Sequence, residues 1–145
     1  MGDGETVELA AQLGASMLLV VLCTLIHGLG LVGVSRLLRL EKERLKKHEF
    51  DLAALLIMCG MALCLFLLHM LEIAIFAVFY LLVGALDSLE EALHFSASAY
   101  ATLGGAADYF PDEWGLMGAI EALIGFLLIG WSTAFIVRNV TRLQS

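Results

Sequence analysis

The chain has 145 residues, of which 61% are hydrophobic, a mean hydropathy of +0.92 and a formal net charge of −7. Ordinary globular domains are about 45–50% apolar, so a soluble fold of this size has no interior large enough to hide so much apolar side chain. Composition therefore points to an all-α membrane protein, with no nucleic-acid partner expected and membrane lipid as its surroundings.

Three apolar stretches reach the ~20 residues that a bilayer-crossing helix needs: Ala15 to Val34, Leu52 to Ala85 and Leu116 to Val137. Before the first stand Asp3, Glu5 and Glu8 and no basic residue, which is unlike a cleavable secretory signal. Between the first and second lie Arg36, Arg39, Lys42, Arg44, Lys46 and Lys47, and after the third come Arg138 and Arg142. Since basic loops stay cytoplasmic, the expected topology is multi-pass in the cell (inner) membrane with the N-terminus outside and the C-terminus cytoplasmic. Segment 36–51 mixes leucines with alternating charges, including the i,i+4 pair Glu43 and Lys47, and is expected to continue as helix; it reads as a topology determinant alone or as one that also meets anionic headgroups. Cys23, Cys59 and Cys64 lie within spans without Cys-x-x-Cys spacing and read as small apolar residues. His27, alone in span one, reads as structural.

Span two is longer than a straight crossing requires and must tilt or project. Gly84 lies near its end. Ser88 and Glu91 then have the spacing of a capping box, with Asp87 and Glu90 adding negative charge at a helix N-terminus. The helix predicted from Leu89 to Ala101 is too short to span and carries His94, Ser96 and Ser98. With both ends on the outer side it is expected to dip in and return, followed by the loop Thr102-Leu103-Gly104-Gly105-Ala106-Ala107-Asp108. Irregular backbone at that depth is tolerated only within protein or along a watery path. Pro111 and Asp112 supply turn and helix-start chemistry before span three.

Within Ala92 to Val137, the residues Phe95-Ser96, Tyr100, Thr102-Leu103-Gly104, Ile120-Glu121-Ala122-Leu123 and Gly130-Trp131-Ser132-Thr133-Ala134 carry a resemblance to the small bacterial potassium-channel-like family. It covers the last 80 residues or so and leaves span one outside. The resemblance implies a homotetrameric pore-loop architecture in which backbone carbonyls of four Thr-Val-Gly-Tyr-Gly loops replace an ion's hydration shell. Thr102, Leu103 and Gly104 match the first three filter positions. Gly105 stands where tyrosine is expected and Ala106 where the second glycine is expected, while Asp108 matches the usual aspartate only with one residue inserted. The implied activity is passive cation conduction, weakly selective or not selective for potassium, with permeant monovalent or divalent cations in the filter and no other cofactor. The alternative is a non-conducting membrane scaffold or accessory subunit that retains the channel fold.

On this reading residues 1–51 form an outside segment, a peripheral helix and a basic linker, and residues 52–145 form the pore domain. Asp108, Asp112 and Glu113 would give an acidic outer vestibule that concentrates cations. Glu121 and Tyr100 are expected to support the filter, Glu121 by accepting hydrogen bonds from the short helix. Gly125 and Gly130 read as close-packing positions or a gating hinge. His69 and Glu72 share a face at i,i+3 and form either a proton-sensitive pair or a packing contact. Glu90, Glu91 and His94 have helical spacing compatible with metal ligation but no fourth ligand, and no metal centre is expected. No paired catalytic motif is present, so no enzymatic activity is expected of His69, Glu72 and His94.

Overall fold

The computed structural model describes residues 3–45, 52–104 and 109–144. Four helices follow in order: α1 Asp3–Leu45, α2 Leu52–Leu82, α3 Leu89–Tyr100 and α4 Gly115–Gln144. Leucine and alanine are the commonest residues of the long helices, and the chain's single proline, Pro111, falls outside all of them, so nothing interrupts their hydrogen-bond ladders. Segments Leu9–Leu38, Leu55–Leu82 and Asp112–Thr141 are long and apolar enough to cross a membrane. Only 28% of each is buried within the chain, so most of their apolar surface needs lipid or sister chains against it.

The expected helical continuation beyond span one extends to Leu45, with Lys46, Lys47 and Asp51 outside the described residues. Span two ends as helix at Leu82, earlier than the Ala85 expected from hydropathy. Gly84 is the reason: at φ 70° it adopts the left-handed conformation that closes a helix, and the Gly84 and Ala85 amides donate to the Leu81 and Tyr80 carbonyls. Ser88 caps α3 by accepting a hydrogen bond from the Glu91 amide at 3.2 Å, which is the first half of the expected capping box. Pro111 leads into a 3₁₀ turn, Asp112–Trp114, which runs directly into α4.

Helices α1 and α4 run parallel, with α2 antiparallel to both. At one end the Gln12 side-chain amide donates to the Glu113 carbonyl. At the other, Leu31, Val34 and Leu38 of α1 pack with Ile57, Met61 and Leu65 of α2 and with Phe135, Ile136 and Val140 of α4. The basic ends of α1 and α4, marked by Arg36 and Arg138, therefore lie together.

Helix α3 doubles back along α2. Phe95 meets Tyr80 edge to face at 5.3 Å, Ser96 Oγ reaches the Ile73 carbonyl at 2.8 Å, and Tyr100 reaches Glu72. Phe95 and Phe110 stack at 3.6 Å, Tyr80 closes on Phe110 at 5.1 Å, and Gly118 of α4 lies under the Phe95 ring. These aromatic contacts hold α3 by dispersion and ring quadrupoles, the forces left to helix packing where lipid removes the hydrophobic drive.

The end of α3 has an unusual cap. The Thr102 and Leu103 amides donate to the Ala99 and Ser98 carbonyls, and Thr102 occupies the left-handed position at φ 58°. A β-branched residue there costs about 1 kcal/mol relative to glycine. Thr102→Gly should accordingly raise the unfolding free energy in detergent by about 1 kcal/mol, and an unchanged denaturation curve would count against this cap.

Candidate functional site

Three layers of residues meet where α3 ends: the turn after it, and two buried polar clusters that fasten it. The turn residues Thr102, Leu103 and Gly104 are exposed, Leu103 at 75%, and Gly104 has φ 72°. Gly105, Ala106 and Asp108, the remaining filter and vestibule candidates, lie outside the described residues. Asp112 and Glu113 are exposed on the 3₁₀ turn, and the Glu113 backbone carbonyl binds Gln12. Beside the turn runs an open, mainly apolar groove of about 380 Å³ between α3 and the first half of α4, lined by Ser98, Thr102, Gly104, Asp112, Gly118 and Ala122 among others.

The upper cluster is built on Glu121, fully buried on α4. It receives the Tyr80 hydroxyl from α2 at 2.7 Å and lies 2.5 Å from Ser96 Oγ of α3. The expected hydrogen bonding from the short helix to Glu121 is thus present through a hydroxyl. Ser96 has one proton and two acceptors within reach, the Glu121 carboxylate and the Ile73 carbonyl, so a single side chain ties α3 to both flanking helices.

The lower cluster gathers one residue or more from every helix. Glu72 of α2 is fully buried; its Oε1 lies 2.9 Å from His27 Nδ1 of α1, its Oε2 lies 3.3 Å from His69 Nδ1, and it accepts the hydroxyl proton of Tyr100. His69 Nδ1 is also 2.8 Å from the Tyr100 hydroxyl. Both imidazoles turn their Nε2 atoms to one hydroxyl, Ser132 of α4, at 3.1 Å from His69 and 3.3 Å from His27. The His69–Glu72 pair expected from spacing is therefore real but incomplete. His27 is not the solitary residue that its place in span one suggests: it is the α1 member of this cluster, with its ring tilted against Trp131 at 5.4 Å.

Ser132, Tyr80 and the role of His27 escape sequence reading because their partners lie 41 to 105 residues away on other helices, where no spacing rule reaches. One signal was available: ionisable side chains within spans turn inward and pair, which for His27 leaves an intramembrane carboxylate as natural partner.

Gly125 and Gly130, paired as hinge candidates, prove dissimilar. A Cβ on Gly125 would collide with the backbone carbonyl and ring of Tyr100, whereas one on Gly130 meets nothing within 4 Å. Of the residues with apparent metal-ligand spacing on α3, His94 instead lies 2.8 Å from the Tyr109 hydroxyl. The Tyr109 phenol is held above its ordinary pKa by partial desolvation and then by the Glu91 charge.

Compared with known proteins, the chain matches no family model, no curated protein and no solved structure.

Proposed function

We propose that the protein is the subunit of a homotetrameric cation channel, in which α3 is a re-entrant pore helix and the segment from Thr102 to Ala106 forms the filter. One observation carries this reading. Tyr100, at the C-terminal end of α3, packs at the level of Glu72, ten residues before the end of α2, which by helical rise is about 15 Å back along that helix. A helix that enters from the end of one span and stops partway along it points the partial negative charge of its C-terminus into the membrane, where a permeating cation gains from it.

The chain must then return from the level of Gly125 to the start of α4, again ten residues or about 15 Å. About five residues in extended conformation cover that distance. That is the length of a filter. The exposed faces of α4, with Leu123, Phe126, Leu127 and Val137, supply apolar surface for neighbouring subunits and a central cavity. With the basic ends of α1 and α4 on the cytoplasmic side, the acidic residues Asp112 and Glu113 face outward, at the mouth through which cations enter.

Reconstitution into liposomes tests the proposal. Cation flux well above that of empty vesicles is expected, with reversal potentials in mixed potassium, sodium and calcium solutions showing weak discrimination. The double replacement Gly105→Tyr with Ala106→Gly should shift the reversal potential toward that of potassium. Vesicles no leakier than protein-free controls would leave the chain a scaffold or accessory subunit.

A further inference from the structure

The lower cluster makes more close polar contacts than its neutral groups have protons to fill. Six contacts join its members: His27 to Glu72, His69 to Glu72 and to Tyr100, Tyr100 to Glu72, His69 to Ser132, and Ser132 to His27. Two neutral imidazoles, a phenol and a hydroxyl bring four protons, and a carboxylate brings none. Even with the His69 Nδ1 proton shared between Glu72 and Tyr100, four protons leave one contact acceptor against acceptor and a buried negative charge uncompensated. Among the described residues the only buried side-chain polar atom without a partner is Ser16 Oγ, so leaving such a conflict would be out of keeping with the rest of the interior.

We propose that His27, His69 and Glu72 form a site for a divalent first-row transition ion, with Zn²⁺ the best fit. Their ligand atoms all lie within 4.8 Å of one another, and the two closest approaches are 2.9 and 3.3 Å. Tetrahedral ligands at about 2.1 Å from an ion lie about 3.4 Å apart, close to the longer of the two approaches and within the 4.8 Å spread. Two imidazole nitrogens and one carboxylate favour a transition ion over magnesium or calcium, which take oxygen sets. The Tyr100 hydroxyl lies beside both His69 Nδ1 and Glu72 and would supply a fourth oxygen ligand.

The orientation of the rings supports metal ligation independently of these distances. Both Nδ1 atoms point at the carboxylate and both Nε2 atoms at Ser132 Oγ, which has two lone pairs to accept two N–H groups. A metal-ligating histidine donates its other ring N–H to an oxygen in this manner, fixing the tautomer. The ion takes the place of the fifth proton, so binding releases that proton to solvent. By joining α1, α2 and the end of α3, it would clamp the base of the turn at Thr102, whether or not that turn conducts.

The full-length protein, produced in zinc-supplemented cells, purified in detergent and washed with EDTA, should retain about one zinc per chain by elemental analysis, as a closed, structural site does. Cobalt(II) loaded into protein prepared free of metal should give the visible bands of a four-coordinate ion, with proton release in weak buffer. His27→Gln and Glu72→Gln should lower affinity at least 100-fold, and Ser132→Ala, which keeps all ligands, by about 10–100-fold. Because the glutamine variants can fail to fold, His69→Cys provides a second arm: it should keep the metal and add sulfur-to-cobalt charge-transfer bands. Folded wild-type protein that holds no stoichiometric zinc and develops no cobalt bands would overturn the site, and so would binding that these variants leave unchanged.

Discussion

Glu72→Ala is expected to be the most damaging single substitution in the chain, lowering the unfolding free energy by about 3–5 kcal/mol. The carboxylate is fully buried and is the common partner of His27, His69 and Tyr100. Its removal leaves two imidazoles and a phenol facing one another in a medium that offers no water in exchange, and the penalty for orphaned buried polar groups exceeds the small net gain of making each bond. Glu72 also holds the C-terminal end of α3, so the loss should spread to the turn at Thr102. Denaturant unfolding in mixed micelles measures the first effect, and accelerated proteolysis within residues 101–111 would register the second. A loss under about 1 kcal/mol would mean that the cluster adds little to stability, as many polar contacts between membrane helices do.

Gly125→Ala should be the next most damaging, and the comparison with Gly130→Ala makes it diagnostic. At Gly125 the added methyl meets the Tyr100 backbone, which cannot rotate away as a side chain would. Either α4 or the end of α3 must move, at a cost of about 3 kcal/mol, the upper part of the usual overpacking range. At Gly130 there is open space, and the same change should stabilise α4 slightly, by up to about 1 kcal/mol, through helix propensity. On the proposed channel reading, Gly125→Ala should also reduce liposome flux at least about tenfold, since a misplaced α3 misplaces the turn it ends on, and 1.4 kcal/mol already corresponds to a factor of ten. Equal behaviour of the two variants would return Gly125 to the role of a hinge rather than a point of close approach.

Local residue patterns suffice to place the helices. Runs of apolar residues longer than a bilayer is thick, uninterrupted by proline, have few alternatives to helix, and the three long helices fall where hydropathy puts them. Ser88 with Glu91 marked the start of the short helix, because capping is a local interaction between residues three apart. Gly84 marked a break, although the helix stops at Leu82 because the closing turn includes the residues on either side of the glycine. The pairing of His69 with Glu72 and the bonding of Glu121 to the short helix were legible for the same reason: one depends on helical spacing, the other on the rule that an intramembrane carboxylate must find donors.

What the tertiary structure decided is how those residues combine. Gly125 and Gly130 are alike in sequence context and differ only in what lies across from them. His27 and Ser132 carry no local sign of partnership, since 105 residues separate two side chains that end 3.3 Å apart. The doubling back of α3 along α2, which sets the level of the turn, is fixed by Tyr80, Ser96 and Tyr100 finding partners on other helices. Spacing rules describe a chain's conversation with itself over a few residues, whereas a buried polar group is satisfied by whatever the packing of distant helices brings to it.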